Sequence, residues 1–466
     1  MSTLFAWLQP APPISEIEDP KVVKETYKYW RIRILYSMFV GYAFYYFTRK
    51  SFTFAMPGLI QDLGFDKSQL GFLASILSIT YGISKFASGM IGDRVNPRYM
   101  MALGLIISGI CNIFFGFSSS LVFFAVFWGL NGWFQGFGWP PCAKFLTHWY
   151  SHSERGSWWS TWNVSHNVGG FLIPWIAGFA LQHLNWRYAM FIPGVSCILI
   201  GFFLINRLRD TPESLGLPAI EKYRNDYIDK KEASGDNEKL SSKEILIKYV
   251  LKNPYIWLLA VAYFFVYIVR TGVNDWTALY LVESKGYSEM YANGCTSFFE
   301  VGGLFGSLVA GWSSDRLFSG KRGPINVIFA LGMLISIFLF WLIPAGYLYF
   351  DLITIFIIGF FIFGPQMMIG LVAAELSHKK AAASSTGFVG FFAYVGAACA
   401  GYPLGSITQH LGWEGFYFAI LFCCLILTFL LLPLWSVTAS TSRSSLHPVN
   451  PKTFPSIEEA RNNITT

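Results

Sequence analysis

The sequence predicts an all-α membrane protein of twelve transmembrane helices, arranged as two pseudo-symmetric six-helix halves. Three observations carry this: the composition, the recurrence of apolar stretches of bilayer length, and punctuation that repeats between the halves. Of 466 residues, 54% are hydrophobic, 18% aromatic and 13% charged, about half the charge of an average soluble chain. Charge-poor stretches of roughly 20 residues, the length that crosses a hydrocarbon core, fall at 34–59, 71–91, 99–117, 121–146, 157–181, 186–206, 254–282, 291–312, 324–343, 352–374, 384–408 and 413–435.

Before the first span the chain is polar and holds no compact apolar stretch, so span 1 itself is expected to act as the targeting signal. The polar segments divide the chain into an N-terminal segment (1–33), a first half (34–206), a linker (207–252), a second half (253–436) and a tail (437–466). The linker is charged and able to form short helices but no core of its own. Of the 34 lysines and arginines, 26 lie on the side shared by the termini and the linker; Lys67, Arg187 and Lys285 lie on the other. By the positive-inside rule both termini of this multi-pass protein are expected in the cytoplasm. The formal charge of +7 is then topology and calls for no nucleic acid. The seven cysteines all sit in apolar spans without C-x-x-C spacing, so neither a disulfide framework nor a metal site is expected.

The halves repeat each other in order. Gly89-x-x-Gly92-Asp93-Arg94 after span 2 corresponds to Gly311-x-x-Ser314-Asp315-Arg316 after span 8, 222 residues on. Gln182-His183-Leu184-Asn185-Trp186 corresponds to Gln409-His410-Leu411-Gly412-Trp413, and Trp139-Pro140 in span 4 to Gly364-Pro365 in span 10. Ordered matches at a near-constant offset mean duplication. Two parallel six-helix halves around a shared cavity resemble the major facilitator fold, and Gly89-x-x-x-Asp93-Arg94 followed by Arg98 resembles its loop signature. Asp93, Arg94, Arg98, Asp315 and Arg316 are candidates for a conformational latch, acting on helix termini across one face; the alternative is a set of solvated loop charges.

Five basic residues remain inside spans: Arg49, Lys50, Lys85, Lys144 and Arg270. An ionised group at membrane depth costs about 2.5 kcal/mol or more, so each is a functional candidate facing a cavity or a partner. Arg49 in span 1 and Arg270 in span 7 lie 221 residues apart, one offset from the duplicated loop, so they are equivalent positions of the two halves. Two guanidinium forks at one central site suit a phosphate dianion, which accepts bidentate hydrogen bonds. The competing reading has each arginine held by a buried acid, Asp275 or Glu300, which with Asn163 and Asn167 are also candidate cavity residues. His166, in span 5 beside Asn163 and Asn167, is a further phosphate-ligand candidate, as is Lys50. Lys85 is a candidate anion guide, and Lys144 is read as snorkelling towards the interface. Tyr45, Tyr46, Trp139 and Tyr267 are candidate cavity aromatics for stacking on a sugar ring. No phosphate-binding loop, metal-ligand cluster or paired catalytic carboxylates point to an enzyme, and no cofactor is implied.

Tyr45-Tyr46-Phe47-Thr48-Arg49-Lys50-Ser51-Phe52, Tyr81-Gly82-Ile83-Ser84-Lys85-Phe86 and Ala374-Glu375-Leu376-Ser377-His378-Lys379-Lys380-Ala381-Ala382 resemble the organophosphate:phosphate antiporter family of the major facilitator superfamily. Asn253-Pro254-Tyr255-Ile256-Trp257, Asn274-Asp275-Trp276 and Gly364-Pro365-Gln366-Met367 are similar to its hexose-phosphate transporter and sensor branch. The resemblance implies exchange of a sugar phosphate, glucose 6-phosphate above all, for inorganic phosphate by alternating access, with Arg49, Arg270 and His166 at the phosphoryl group. It equally allows a membrane sensor of external glucose 6-phosphate that signals to a kinase. A monomer in the bilayer is the expected state. Unlike some hexose-phosphate antiporters, span 11 carries no charge between Ala393 and Ser406, which leaves the source of sugar selectivity open.

Overall fold

The computed structural model describes residues 8–92, 95–225, 246–318, 321–376 and 382–437. The first half comprises α1 (Pro20–Leu63), α2 (Lys67–Gly92), α3 (Pro97–Phe117), α4 (Leu121–Gln135), α5 (Trp139–Trp149), α6 (His152–His183) and α7 (Tyr188–Arg207). A short α8 (Ile220–Arg224) lies in the linker. The second half comprises α9 (Pro254–Lys285), α10 (Glu289–Arg316), α11 (Arg322–Leu342), α12 (Leu348–Glu375), α13 (Ala382–Cys399) and α14 (Tyr402–Leu431).

These helices make the twelve expected crossings, with two departures from straight spans. The fourth crossing is α4 plus α5, interrupted at residues 136–138, where Gly136 and Gly138 precede Trp139-Pro140-Pro141. Consecutive prolines lack the amide protons that would continue α4, so the chain restarts with a proline in the first turn of α5. The eleventh crossing is likewise in two pieces, α13 and the first part of α14, and Gly412, at φ 68°, separates it from the twelfth. By length and composition alone, seven stretches among the described residues are apolar enough to cross a membrane, one of them the continuous 385–434 region. The crossings outside that set, 1, 2, 4 and 8, are α1, α2, α4 with α5, and α10; Arg49, Lys50, Lys85 and Glu300 lie in three of them.

Helix termini repeat between halves. Asn96 and Asn253 cap α3 and α9, each followed by proline at the first helical position, and each side-chain oxygen accepts a backbone N–H two residues on. Gly64 and Gly286, 222 residues apart, end α1 and α9 in the left-handed region at φ 67° and 66°, where a Cβ would be strained.

We call the end of the bundle carrying the linker and the start of α1 the linker face, and the opposite end the far face. On the linker face, residues 8–17 strap the first half. Leu8 accepts from the Asn96 amide, Ala11 N–H donates to Asp210 (2.8 Å), and Ile14 and Ile17 donate to Glu213 and Gly216 carbonyls. Glu154 caps α6 and pairs with Arg31 (2.6 Å) and Arg224 (3.4 Å). At the far face the halves close on each other. Gly71 lies so near Gly401 that a Cβ there would sit 2.5 Å from the Gly401 carbonyl oxygen. Ser75 Oγ donates to Ala398 O (2.6 Å) and accepts the Tyr402 amide (2.7 Å), bridging the interruption between α13 and α14. Lys67 pairs with Glu283 (3.0 Å) across the same seam.

Candidate binding site

A cavity of about 490 Å³ lies between the halves. Its lining includes Arg49, Lys50, Lys85, His166, Asn163, Asn167, Tyr46, Trp139, Tyr267, Arg270 and Asp275, so most of the sequence-selected residues converge on one space. It lies on the linker side of the far-face seam.

Arg49 and Arg270 face this cavity from opposite halves. Arg49 is oriented from behind by a buried polar network. Its Nε donates to Gln135 Oε1 (3.1 Å), and Gln135 Nε2 donates to Thr48 Oγ1 (2.9 Å) and Asn131 Oδ1 (3.2 Å). Asn131 Nδ2 donates to Thr48 O (2.8 Å), while Asn112 Nδ2 donates to Ser51 Oγ (2.9 Å). A planar guanidinium held by its Nε edge presents its remaining N–H groups in a set direction. The Arg49 guanidinium stands over Tyr46 (4.6 Å) and Tyr81 (4.5 Å), and Arg270 over Tyr267 (5.6 Å) and Phe363 (5.1 Å). Among the described residues no carboxylate forms an ion pair with either arginine. Arg49 Nη2 and Arg270 Nε are buried and have no hydrogen-bond partner there.

The two acids are engaged elsewhere. Asp275 pairs with Lys50 at 2.6 Å across the two halves, so Lys50 lines the cavity as one member of an ion pair and not as a free cation; Asp275, five residues beyond Arg270, points away from that arginine as helical spacing requires. Glu300 is buried outside the lining, where Asn167 Nδ2 donates to its Oε2 (3.2 Å). Lys85 Nζ donates to Tyr394 OH (3.3 Å) and lies over Trp139 (5.5 Å). His166 Nδ1 contacts the Asn163 carbonyl, and its ring stacks parallel to Phe363 across the halves, with centroids 6.5 Å apart.

Two cavity candidates are corrected: Glu300, which lies outside the lining, and Tyr45. Tyr45 is fully buried inside the first half, its hydroxyl donating to Met101 O (2.8 Å) and its ring against Gly104 and Gly138. It lies about 100° from Tyr46 around α1, on the side that packs into its own half, while Tyr46 lines the cavity. Of the latch candidates, Asp93, Arg94 and the Asp315 side chain lie outside the described residues. Arg98 Nε donates to Ile205 O (2.6 Å) near the C-terminal end of α7, within its own half, and Arg316 is exposed. Nearby in the second half, Arg322 pairs with Glu375 (3.2 Å). Lys144 Nζ reaches the Val95 carbonyl (3.0 Å).

Sequence reasoning missed Tyr263 and Tyr394 on the wall. The same 221-residue offset that relates the arginines carries Tyr42 to Tyr263 and Tyr46 to Tyr267, so Tyr-x-x-x-Tyr-x-x-Arg recurs in α1 and α9 and all six residues line the cavity. That repeat was available in the sequence. Tyr394 had no such signal, being one aromatic in an apolar span.

Residues 38–401 match the Major Facilitator Superfamily. The chain belongs to that family. It is a transporter and not an enzyme. It is 60% identical over 94% of its length to the probable hexose phosphate transport protein of Chlamydia trachomatis serovar D, covering 98% of that protein. It is 50% identical over 92% of its length to the membrane sensor protein UhpC of Escherichia coli (strain K12), covering 97% of it. These likenesses bear out the resemblance to the organophosphate:phosphate antiporter branch. The inward-facing, unoccupied crystal structure of a bacterial homolog of the human lysosomal transporter Spinster superposes with a TM-score of 0.69 at 16% identity, over 89% of this chain and 97% of that one, a likeness of fold.

Proposed function

We propose that this major facilitator transporter exchanges a hexose phosphate, glucose 6-phosphate in the first instance, for inorganic phosphate by alternating access across a bacterial inner membrane. The observation that carries this is the pair Arg49 and Arg270: repeat-related guanidinium groups in one cavity, neither ion-paired with an acid among the described residues. A phosphoryl dianion supplies both the missing charge and the oxygens that two forks can bind. With both termini in the cytoplasm the linker face is cytoplasmic, so the far-face seam corresponds to closure on the outside. The names of the relatives support sugar phosphate as the substrate class.

Counterflow tests the reading. Vesicles loaded with inorganic phosphate should accumulate labelled glucose 6-phosphate, unphosphorylated glucose should neither compete nor drive uptake, and strong competition by glucose would refute a phosphate-centred site. The 50% identity to a membrane sensor favours one second reading, reception of external glucose 6-phosphate with signalling to a kinase. Intact binding with negligible exchange would select it.

A further inference from the structure

Gln366 is a polar wall residue whose chemistry the phosphate site does not use. It sits in α12 directly after Pro365, which lacks the amide proton that would complete the helical ladder. Its carbonyl accepts the Tyr263 hydroxyl (2.8 Å) from α9, so the backbone at this point is fixed by the opposing helix. Gln366 is among the residues lining the cavity, and its Oε1 is buried with no hydrogen-bond partner among the described residues. A buried amide oxygen left unsatisfied is costly and calls for a ligand or water donor.

Its position relative to the arginines says what that donor is. Arg270 lies over Phe363, and Gln366 is three residues further along α12, about 4.5 Å towards the linker face. Tyr42 and Tyr263 each precede their arginine by seven residues, about 10 Å on the same side. A phosphoryl group between the arginines therefore leaves the rest of the substrate beside Gln366, Tyr263 and, from the other half, Tyr42 and Trp139. An amide oxygen accepts hydrogen bonds and repels phosphate oxygens, but takes a sugar hydroxyl as donor. We propose that Gln366 is a specificity-determining residue, reading a ring hydroxyl of the hexose while the arginines hold its phosphate. This rests on the sugar-phosphate reading above.

The test is equilibrium binding to the full-length purified protein, with glucose 6-phosphate, its singly deoxygenated analogues and inorganic phosphate as probes. Gln366→Leu, close in volume but without polar atoms, should weaken glucose 6-phosphate about tenfold or more, as loss of a buried hydrogen bond does, and leave phosphate affinity within about twofold. One deoxy analogue should bind the wild type as weakly as glucose 6-phosphate binds the variant, and lose nothing further on substitution, the non-additivity expected of two partners in one bond. Equal weakening of sugar phosphate and inorganic phosphate by both Gln366→Leu and Gln366→Ala would overturn the assignment, as would a substitution effect shared by every deoxy analogue. A wild type that binds phosphate but no hexose phosphate would instead refute the functional reading itself, and this inference with it.

Discussion

Replacing either cavity arginine with lysine isolates geometry from charge. Each guanidinium offers a fork able to make two parallel charge-assisted bonds to a phosphoryl group, whereas an ammonium makes one directed bond from a flexible stem. A hydrogen bond to a charged group contributes about 1.5–3 kcal/mol, and each 1.4 kcal/mol is tenfold in affinity, so Arg49→Lys and Arg270→Lys should each raise the phosphate dissociation constant roughly 10- to 150-fold. Arg49 adds a second loss. Its Nε is anchored by Gln135 Oε1 at 3.1 Å, and lysine cannot occupy that anchor while also reaching the ligand, so Gln135, Thr48 and Asn131 lose their organising partner. Arg49→Lys is therefore expected at the upper end of the range and Arg270→Lys at the lower. Because both forks would grip one anion, the double variant should be less than additive. Calorimetric titration of purified protein with inorganic phosphate and with glucose 6-phosphate measures all of this. Wild-type affinity for both ligands in both single variants would refute the shared central site.

Three other perturbations follow from the geometry. Gly71→Ala puts a Cβ 2.5 Å from the Gly401 carbonyl oxygen, so α2 and the eleventh crossing must separate; spin labels at Asp62 and Ser288 should show a longer far-face distance, and an unchanged distribution would contradict the seam. Asp351→Asn strands Lys285, whose side chain is 2% exposed in its ion pair, which should cost about 3–5 kcal/mol of stability, read as a lowered melting temperature without a matching change in phosphate affinity. Lys50→Met, Asp275→Asn and the double variant should give a coupling of about 1–3 kcal/mol in a stability cycle, since the 2.6 Å pair joins the halves; additivity would mean that the pair does not couple them.

The fold was legible because its signals are long and repeated. Bilayer-length spans and the near-constant offset between the halves survive any error of a few residues at an end. Interruptions of the fourth and eleventh crossings were less visible, since apolarity continues through Gly136–Gly138 and Ala400–Gly401 while only the backbone changes. In the site, the charged residues were found because charge inside a membrane is conspicuous, but which charges pair was not: Lys50 and Asp275 come from different halves, and nothing local marks them as partners. Tyr45 was misplaced because two adjacent tyrosines are indistinguishable until the face of α1 is known. Gln135, which orients Arg49, lay unremarked in α4 because a neutral amide in a span gives a weak signal.

The unpaired arginines also bear on why the proposed reaction would be an exchange. While the cavity is open, water solvates both guanidinium groups. Closing it empty would strip that water from two cations without supplying a counter-charge, at several kcal/mol for each ion after relaxation. The Lys50–Asp275 pair adds no net charge to help, and Glu300, which accepts from Asn167, makes no direct ion pair with Arg270. A dianion in the site removes the penalty, and sugar phosphate and inorganic phosphate bring the same phosphoryl group, so either allows the carrier to close and reopen on the other side. On the proposed reading, return of the empty carrier is the slow step. Vesicles loaded with labelled glucose 6-phosphate should retain it in phosphate-free buffer and release it when phosphate is added outside. Release at equal rates in both buffers would show that the empty arginines do not oppose closure.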